Sequence, residues 1–441
     1  MGTIVQSQRL KGHASASQIA KGGALAFLIQ GSGALLQLLT DVLAARLLGA
    51  APFGLYALVA AWIYVLSLLG TLGLNFLLLR FVPTYLAQQD WGCLHGLLRR
   101  CTRWACLAIL AITATGAVLL TLFRPALGET AAAAFGIALM IIPLQIFSSL
   151  RQAILRGFNK IGRALSPEYL LRPSLFILLL MAAHLQGWRL DALMALLLYL
   201  GAAFFAFAVG AFWQYRHTPV STRHSTPIYH DGYWLKTAMP LLLIIGLNLI
   251  SSRIDVIMLG FLADAGQVGI YSAASRIADV VVFGLVAANA VVAPMIARLH
   301  ATRQHAELQK IVLLAGKGIA LFTTPVAMII ILFGHEILNL FGNDFSAGYT
   351  VLVILMSGQI VNALAGPVGH LMTMTGHQVK AAKMVGVSAL LNLALNGALI
   401  PHFGVIGAAL ATAVSTATWN LLMMRFVYAE LKIRSSLFYY R

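Results

Sequence analysis

The chain predicts an all-α integral membrane protein: about twelve transmembrane helices in two parallel six-helix lobes around a central cavity. Three observations carry that expectation. Hydrophobic residues fill 60% of the 441 positions and charged residues only 10%, against about a quarter in a soluble domain. So little polar surface could not cover a particle of this size in water. Apolar runs of about 20 residues, long enough to cross a bilayer, recur along the chain. The cations between those runs collect in alternate connections.

The elements follow in order. Residues 1–21 are polar, carry Arg9, Lys11 and Lys21, and read as a cytoplasmic N-terminal segment. The apolar run behind them is too long for a signal-peptide core and ends in no small-residue cleavage site. The N-lobe, 22–215, holds spans near 22–47, 53–80, 103–123, 131–152, 167–186 and 190–213. A cytoplasmic linker at 216–232 has Pro219 and Pro227 and the histidines 217, 224 and 230, read as solvated rather than metal-binding. The C-lobe, 233–429, holds spans near 234–262, 267–297, 311–333, 349–374, 381–401 and 405–428. A cytoplasmic tail, 430–441, closes the chain.

Charge tests this assignment. With the N-terminus inside, the even-numbered connections carry Arg99, Arg100 and Arg103; Arg151, Arg156, Lys160 and Arg163; Arg216 and Arg223; Arg298, Arg303 and Lys310; and Lys380 and Lys383. The opposite connections offer Arg124 and Arg189, with Arg46 near one end. Basic loops resist translocation, so this asymmetry places both termini in the cytoplasm. It also accounts for much of the net charge of +17, which in a soluble chain would point to nucleic acid; no nucleic-acid motif is present. The three cysteines, Cys93, Cys101 and Cys106, cluster at one cytoplasmic connection and read as reduced thiols without zinc spacing.

An internal repeat supports the two lobes. Asp41-Val-Leu-Ala-Ala-Arg-Leu-Leu-Gly followed by Phe53-Gly54-Leu55-Tyr56 is echoed by Asp255-Val-Ile-Met-Leu-Gly260 followed by Val268-Gly269-Ile270-Tyr271, with a one-residue shift in the loop. Six spans per lobe is an even number, so the repeat is parallel, with its axis near the membrane normal.

Enzyme chemistry finds no footing. Gly316-Lys317-Gly318 lacks the rest of a phosphate-binding loop, no acidic pair sits in a long polar loop, and no catalytic metal spacing occurs. Any pumping would be secondary, with H+ or Na+ as the coupling ion and no other cofactor. The informative residues are charges inside spans, each costing roughly 2.5–3.5 kcal/mol at a helix centre. Arg253 and Asp255 lie in the seventh span with Asn248 before them; Arg276 and Asp279 lie in the eighth. Arg253 and Arg276 both fall about 13 Å below the outer surface at 1.5 Å per residue, so their forks could flank one anion site. Against that stands an Arg276–Asp279 pair at i,i+3. Asp41 is the lone acid of the first span and reads either as an ion-coupling carboxylate or as a fixed partner of Arg46 or the backbone. Asp255, its repeat counterpart, carries the same two readings. Glu168 and Arg172 form an i,i+4 pair at the inner end of the fifth span, with Arg172 a candidate cavity residue, and Lys317 either lines the pathway or snorkels to the headgroups. Pro143, Pro240, Pro325 and Pro367 fall within spans as candidate kinks.

These residues resemble a known family. Arg46-Leu47-Leu48-Gly49 with Phe53-Gly54-Leu55-Tyr56, Arg80-Phe81-Val82-Pro83, Gly269-Ile270-Tyr271-Ser272-Ala273-Ala274, Met374-Thr375-Gly376-His377-Gln378, and Gly404-Val405-Ile406-Gly407 are similar to the polysaccharide exporters of the MOP superfamily. That superfamily also contains the MATE drug exporters and the lipid II flippases. The resemblance implies a flippase for undecaprenyl-diphosphate-linked oligosaccharide in the bacterial inner membrane, serving O-antigen, capsule or exopolysaccharide synthesis. It implies lipid-linked oligosaccharide and membrane lipids as partners, with polysaccharide polymerase and chain-length proteins beyond them. The alternative is a cation-coupled multidrug exporter, which would need an acidic, aromatic cavity.

Overall fold

The apolar runs are present as helices, and the differences lie where the backbone breaks. A computed structural model describes residues 2–236 and 253–435, leaving aside the side chains of 2–21, 283, 284, 286–288, 290 and 291. No strand occurs among the described residues. Helix α1 (Gly2–Leu48) runs through the segment expected to be separate from the first span. No proline interrupts it before Pro52. The second expected span is two helices, α2 (Ala50–Gly70) and α3 (Leu74–Gln88), because Leu72 and Gly73 both take positive φ and end the first one.

Helices α4 (Trp91–Leu127) and α5 (Glu129–Gly157) follow. The fifth span is α6 (Ile161–Ser166), a π turn at Pro167–Leu171, and α7 (Arg172–Leu185). Helix α8 (Ala192–His217) completes the N-lobe. The linker holds a short α9 (Val220–His224). The C-lobe shows α10 (Ile254–Leu262), α11 (Ala265–Ala301), α12 (His305–Leu332), α13 (Gly334–Asn339), α14 (Tyr349–Ala365), α15 (Val368–Met374) and α16 (Gln378–Phe426). Pro240 lies outside the described residues.

Helix α16 is the last two spans in one. Gly404 takes φ 53° and ψ −130°, and the chain folds back on itself there. Ser388 Oγ accordingly donates to the Ser415 carbonyl oxygen of the returning arm at 2.7 Å. Nine helical stretches among the described residues are long and apolar enough to cross a membrane, the last being this hairpin. Two of the expected spans are the arms of this hairpin, and most of the expected seventh span, 234–262, lies outside the described residues.

The two lobes meet at the arginine-poor end of the molecule. There α2 packs along α11, and the repeat glycines sit face to face. A methyl group built on Gly54 would strike the Ala265 carbonyl; one built on Gly269 would strike the Ala50 carbonyl. Each glycine thus opposes the residue four positions before its own repeat partner. A two-fold axis between α2 and α11 produces that reciprocity, as a parallel repeat requires. Around the contact one hydrophobic core joins both lobes through Phe53, Tyr56, Val268, Tyr271 and Phe345. A second core, around Leu308, Met372 and Val427, lies within the C-lobe toward the arginine-rich end.

The linker lies as a strap along α4. Ile228 N donates to the Gly92 carbonyl at 3.0 Å, and Gly96 leaves room for the Ile228 backbone to lie on α4. Arg100 and Asp231 form an ion pair at 2.5 Å, and Ser225 Oγ donates to the Trp91 carbonyl at 2.9 Å. Trp234 is fully buried and donates to Tyr85 Oη at 3.1 Å. No cluster of three or more His, Cys, Asp or Glu side chains suited to a metal occurs among the described residues. The three cysteines are free.

Candidate functional site

Between the lobes lies a cavity of about 600 Å³, closed at the arginine-poor end by the α2–α11 contact. It is lined from Asp41 and Phe53 at that end to Gln30, Asn75 and Gln152 toward the arginine-rich end. Its charged lining residues are three arginines, Arg172, Arg253 and Arg276, and two carboxylates, Asp41 and Glu168.

The N-lobe wall is a fixed network. Glu168 sits in the π turn of the fifth span, a local widening that points an extra side chain inward. Its Oε1 accepts from Arg151 Nη2 at 2.8 Å and its Oε2 from Arg172 Nη1 at 2.9 Å. Arg151, counted above among the loop cations, is instead 2% exposed inside the lobe, and Gly210 of α8 makes room for its guanidinium. Arg172 also donates to Gln145 Oε1 at 3.1 Å and lies 5.5 Å from the Tyr199 ring centroid. Gln145 in turn donates to Tyr199 Oη at 2.9 Å. The expected Glu168–Arg172 pair is present, but as part of a triad anchored by a second arginine.

The C-lobe wall carries the less committed charge. Arg276 Nε reaches across the lobe boundary to Asp41 Oδ2 at 3.0 Å, while Gln37, one turn before Asp41, donates to Oδ1 at 3.2 Å. Asp41 is therefore not paired with Arg46, which is exposed, and Arg276 is not paired with Asp279, which is also exposed. The i,i+3 pairing loses because Arg276 turns toward a buried carboxylate that no other cation reaches within ion-pair distance among the described residues. Arg253, at the start of α10, lies 5.5 Å from the Tyr64 ring centroid. None of the chain's thirteen acidic side chains is within ion-pair distance of it among the described residues. Arg253 and Arg276 both line this wall.

The repeat makes the wall one-sided. Aligned on Gly54 and Gly269, Arg276 corresponds to Ala61; aligned on Asp41 and Asp255, Arg253 corresponds to Leu39. Only the C-lobe copies bear cations. The two aspartates have also diverged. Asp255 lies outside the cavity lining in a buried polar cluster. It accepts from Tyr271 Oη at 3.0 Å, Thr412 Oγ1 at 2.6 Å and Asn396 Nδ2 at 2.8 Å. Lys317 is exposed on α12 and does not line the cavity, and Asn248 lies outside the described residues. Gln37 was legible at i,i+4 from Asp41. Arg151, Tyr64 and Tyr199 were not, because nothing local ties them to the charges they meet.

Fold and site together define a multi-pass membrane protein with a charged central cavity between two repeated lobes. Residues 19–300 match the family described as "Polysaccharide biosynthesis protein", and 240–397 match the one described as "MatE". The chain belongs to the polysaccharide biosynthesis protein family. It is 26% identical over 184 residues to the "Probable low-salt glycan biosynthesis flippase Agl15" of Haloferax volcanii. That stretch is 42% of this chain and 39% of the relative, so the chain spans about two fifths of the length of the relative it matches. A solved multidrug resistance MATE family transporter of the MOP superfamily, in an inward-facing conformation, gives a TM-score of 0.72 at 16% identity, over 93% of this chain and 98% of that one. The lipid II flippase MurJ, in an inward closed conformation, gives 0.72 at 17% identity, over 92% and 87%. At such identities the likeness is one of fold.

Proposed function

We propose that the chain is a flippase for undecaprenyl-diphosphate-linked oligosaccharide, working by alternating access in the bacterial inner membrane for surface polysaccharide synthesis. The observation that carries this reading is the pair Arg253 and Arg276 on one cavity wall, with Asp41 the one lining carboxylate paired with either among the described residues. Guanidinium forks match phosphate oxygens, and two lining arginines of which one is ion-paired favour an anion. The arginine-rich end is cytoplasmic in this reading, so the cavity faces the side where the lipid-linked sugar is assembled. The diphosphate docks on Arg253 and Arg276, the sugars occupy the polar space beside Gln30, Asn75 and Gln152, and the prenyl chain stays in lipid. Polymerase and chain-length proteins would receive the product.

A multidrug exporter for organic cations would need an acidic cavity, and three lining arginines against two carboxylates oppose that. Coupling to H+ or Na+ falls to Asp255 in this reading. It is a buried carboxylate with no cation beside it, surrounded by hydroxyl and amide groups, whereas Asp41 is committed to Arg276. Replacing both Arg253 and Arg276 by alanine should abolish surface polysaccharide with membrane abundance unchanged. Normal polysaccharide from that double variant would sink the anion site.

A further inference from the structure

We infer that Asp41 is an internal stand-in for the substrate's phosphate: it occupies Arg276 in the empty carrier, ties the lobes together, and must be displaced for the diphosphate to bind. The inference rests on the anion-site reading above and adds a residue from the opposite lobe to it. Asp41 stands on α1 of the N-lobe, and Arg276 on α11 of the C-lobe. Their 3.0 Å contact is an ion pair across the lobe boundary at the cavity's closed end.

The two partners differ in commitment. Asp41 is 3% exposed and is held from its own helix by Gln37, so its carboxylate is fixed in place. Arg276 is 27% exposed and lines the cavity, as does Arg253. An arriving dianion outbids one carboxylate for two guanidinium groups, because it neutralises Arg253 as well. The repeat supports the special role. Asp255 is satisfied within its own lobe by three neutral donors, while Asp41 keeps only Gln37 there and takes its charge partner from the other lobe. The empty carrier therefore rests with the α2–α11 contact closed, and substrate loosens the joint by removing the ion pair. A ligand shifts a conformational equilibrium only through its differential affinity for the two states, and displacement of Asp41 supplies that difference.

The test uses inorganic pyrophosphate and the purified full-length chain in nanodiscs. Asp41→Asn keeps shape and removes the competing charge. It should bind pyrophosphate about tenfold more tightly than wild type, a gain of about 1.4 kcal/mol, and Arg276→Gln in the same chain should erase the gain. Equal affinity in wild type and Asp41→Asn, lost in Arg276→Gln, overturns the stand-in and leaves the anion site standing. No pyrophosphate binding by wild type or Asp41→Asn overturns both. Should Asp41→Asn not fold, wild type labelled at Asn159 and Gln304, one on each lobe at the arginine-rich end, serves instead. Pyrophosphate should shorten the distance between the two spin labels as that end closes, and an unchanged distance overturns the inference.

Discussion

At the scale of single residues, charge in this chain is kept where a partner or a ligand can answer it. Arg151 is the clearest case: it is buried and shares Glu168 with Arg172. Removing it leaves Glu168 with one partner and empties a polar space beside Gly210. Arg151→Met should cost stability through the broken pair, by about 3–5 kcal/mol, read as a lower melting temperature of the detergent-solubilised protein. Asp90, at the start of α4, accepts from the Cys93 backbone N–H at 2.9 Å, and this bond lowers its carboxyl below the ordinary 3.8. A depressed value means the cap stabilises above the unfolded value and is lost as pH falls through the folded one. Asp90→Ala should therefore cost about 1 kcal/mol at neutral pH and little once the carboxyl is protonated in both states, measured by melting across acid pH. The i,i+4 pair Glu168–Arg172 was legible in the sequence, since spacing alone sets it. The pair Asp41–Arg276 was not, because it joins residues from different lobes and depends on how those lobes meet.

At the scale of elements, hydrophobic length identified the spans, and their breaks came from backbone geometry. The sequence expectation of one span over 53–80 overlooked the left-handed pair Leu72–Gly73, since Leu rarely adopts that conformation and gives no warning of it. The break between the last two spans was legible, because Pro401 and Gly404 stand together in a short gap between apolar runs. The polar linker is tied to α4 by two bonds to that helix's backbone and by the Arg100–Asp231 pair, which polarity cannot report. That packing depends on a bare helix surface at Gly96. Gly96→Leu should lift the strap from α4 and speed trypsin cleavage at the surface residue Arg223 in the detergent-solubilised protein, relative to wild type.

At the scale of the whole molecule, the charge alternation and the internal repeat conveyed the architecture, and the reciprocal Gly54–Gly269 contact gives that repeat its axis. Side chains at these positions would hold the lobes apart at the closed end. Gly54→Val should destabilise the state in which the cavity faces the arginine-rich end, so accessibility of an engineered cysteine at Gln152 to a membrane-impermeant thiol reagent from that side should fall; unchanged labelling would count against a tight joint there. Such a joint also bears on the ease of movement. Most surfaces that part during a transport cycle must let interlocked side chains find new rotamers. Where α2 crosses α11, backbone rests on backbone at both glycines, so the side chains to be re-sorted there are those of the surrounding core, Phe53 and Phe345 among them. If the lobes part there as the proposed transport requires, the opening would separate that apolar core together with the Asp41–Arg276 ion pair.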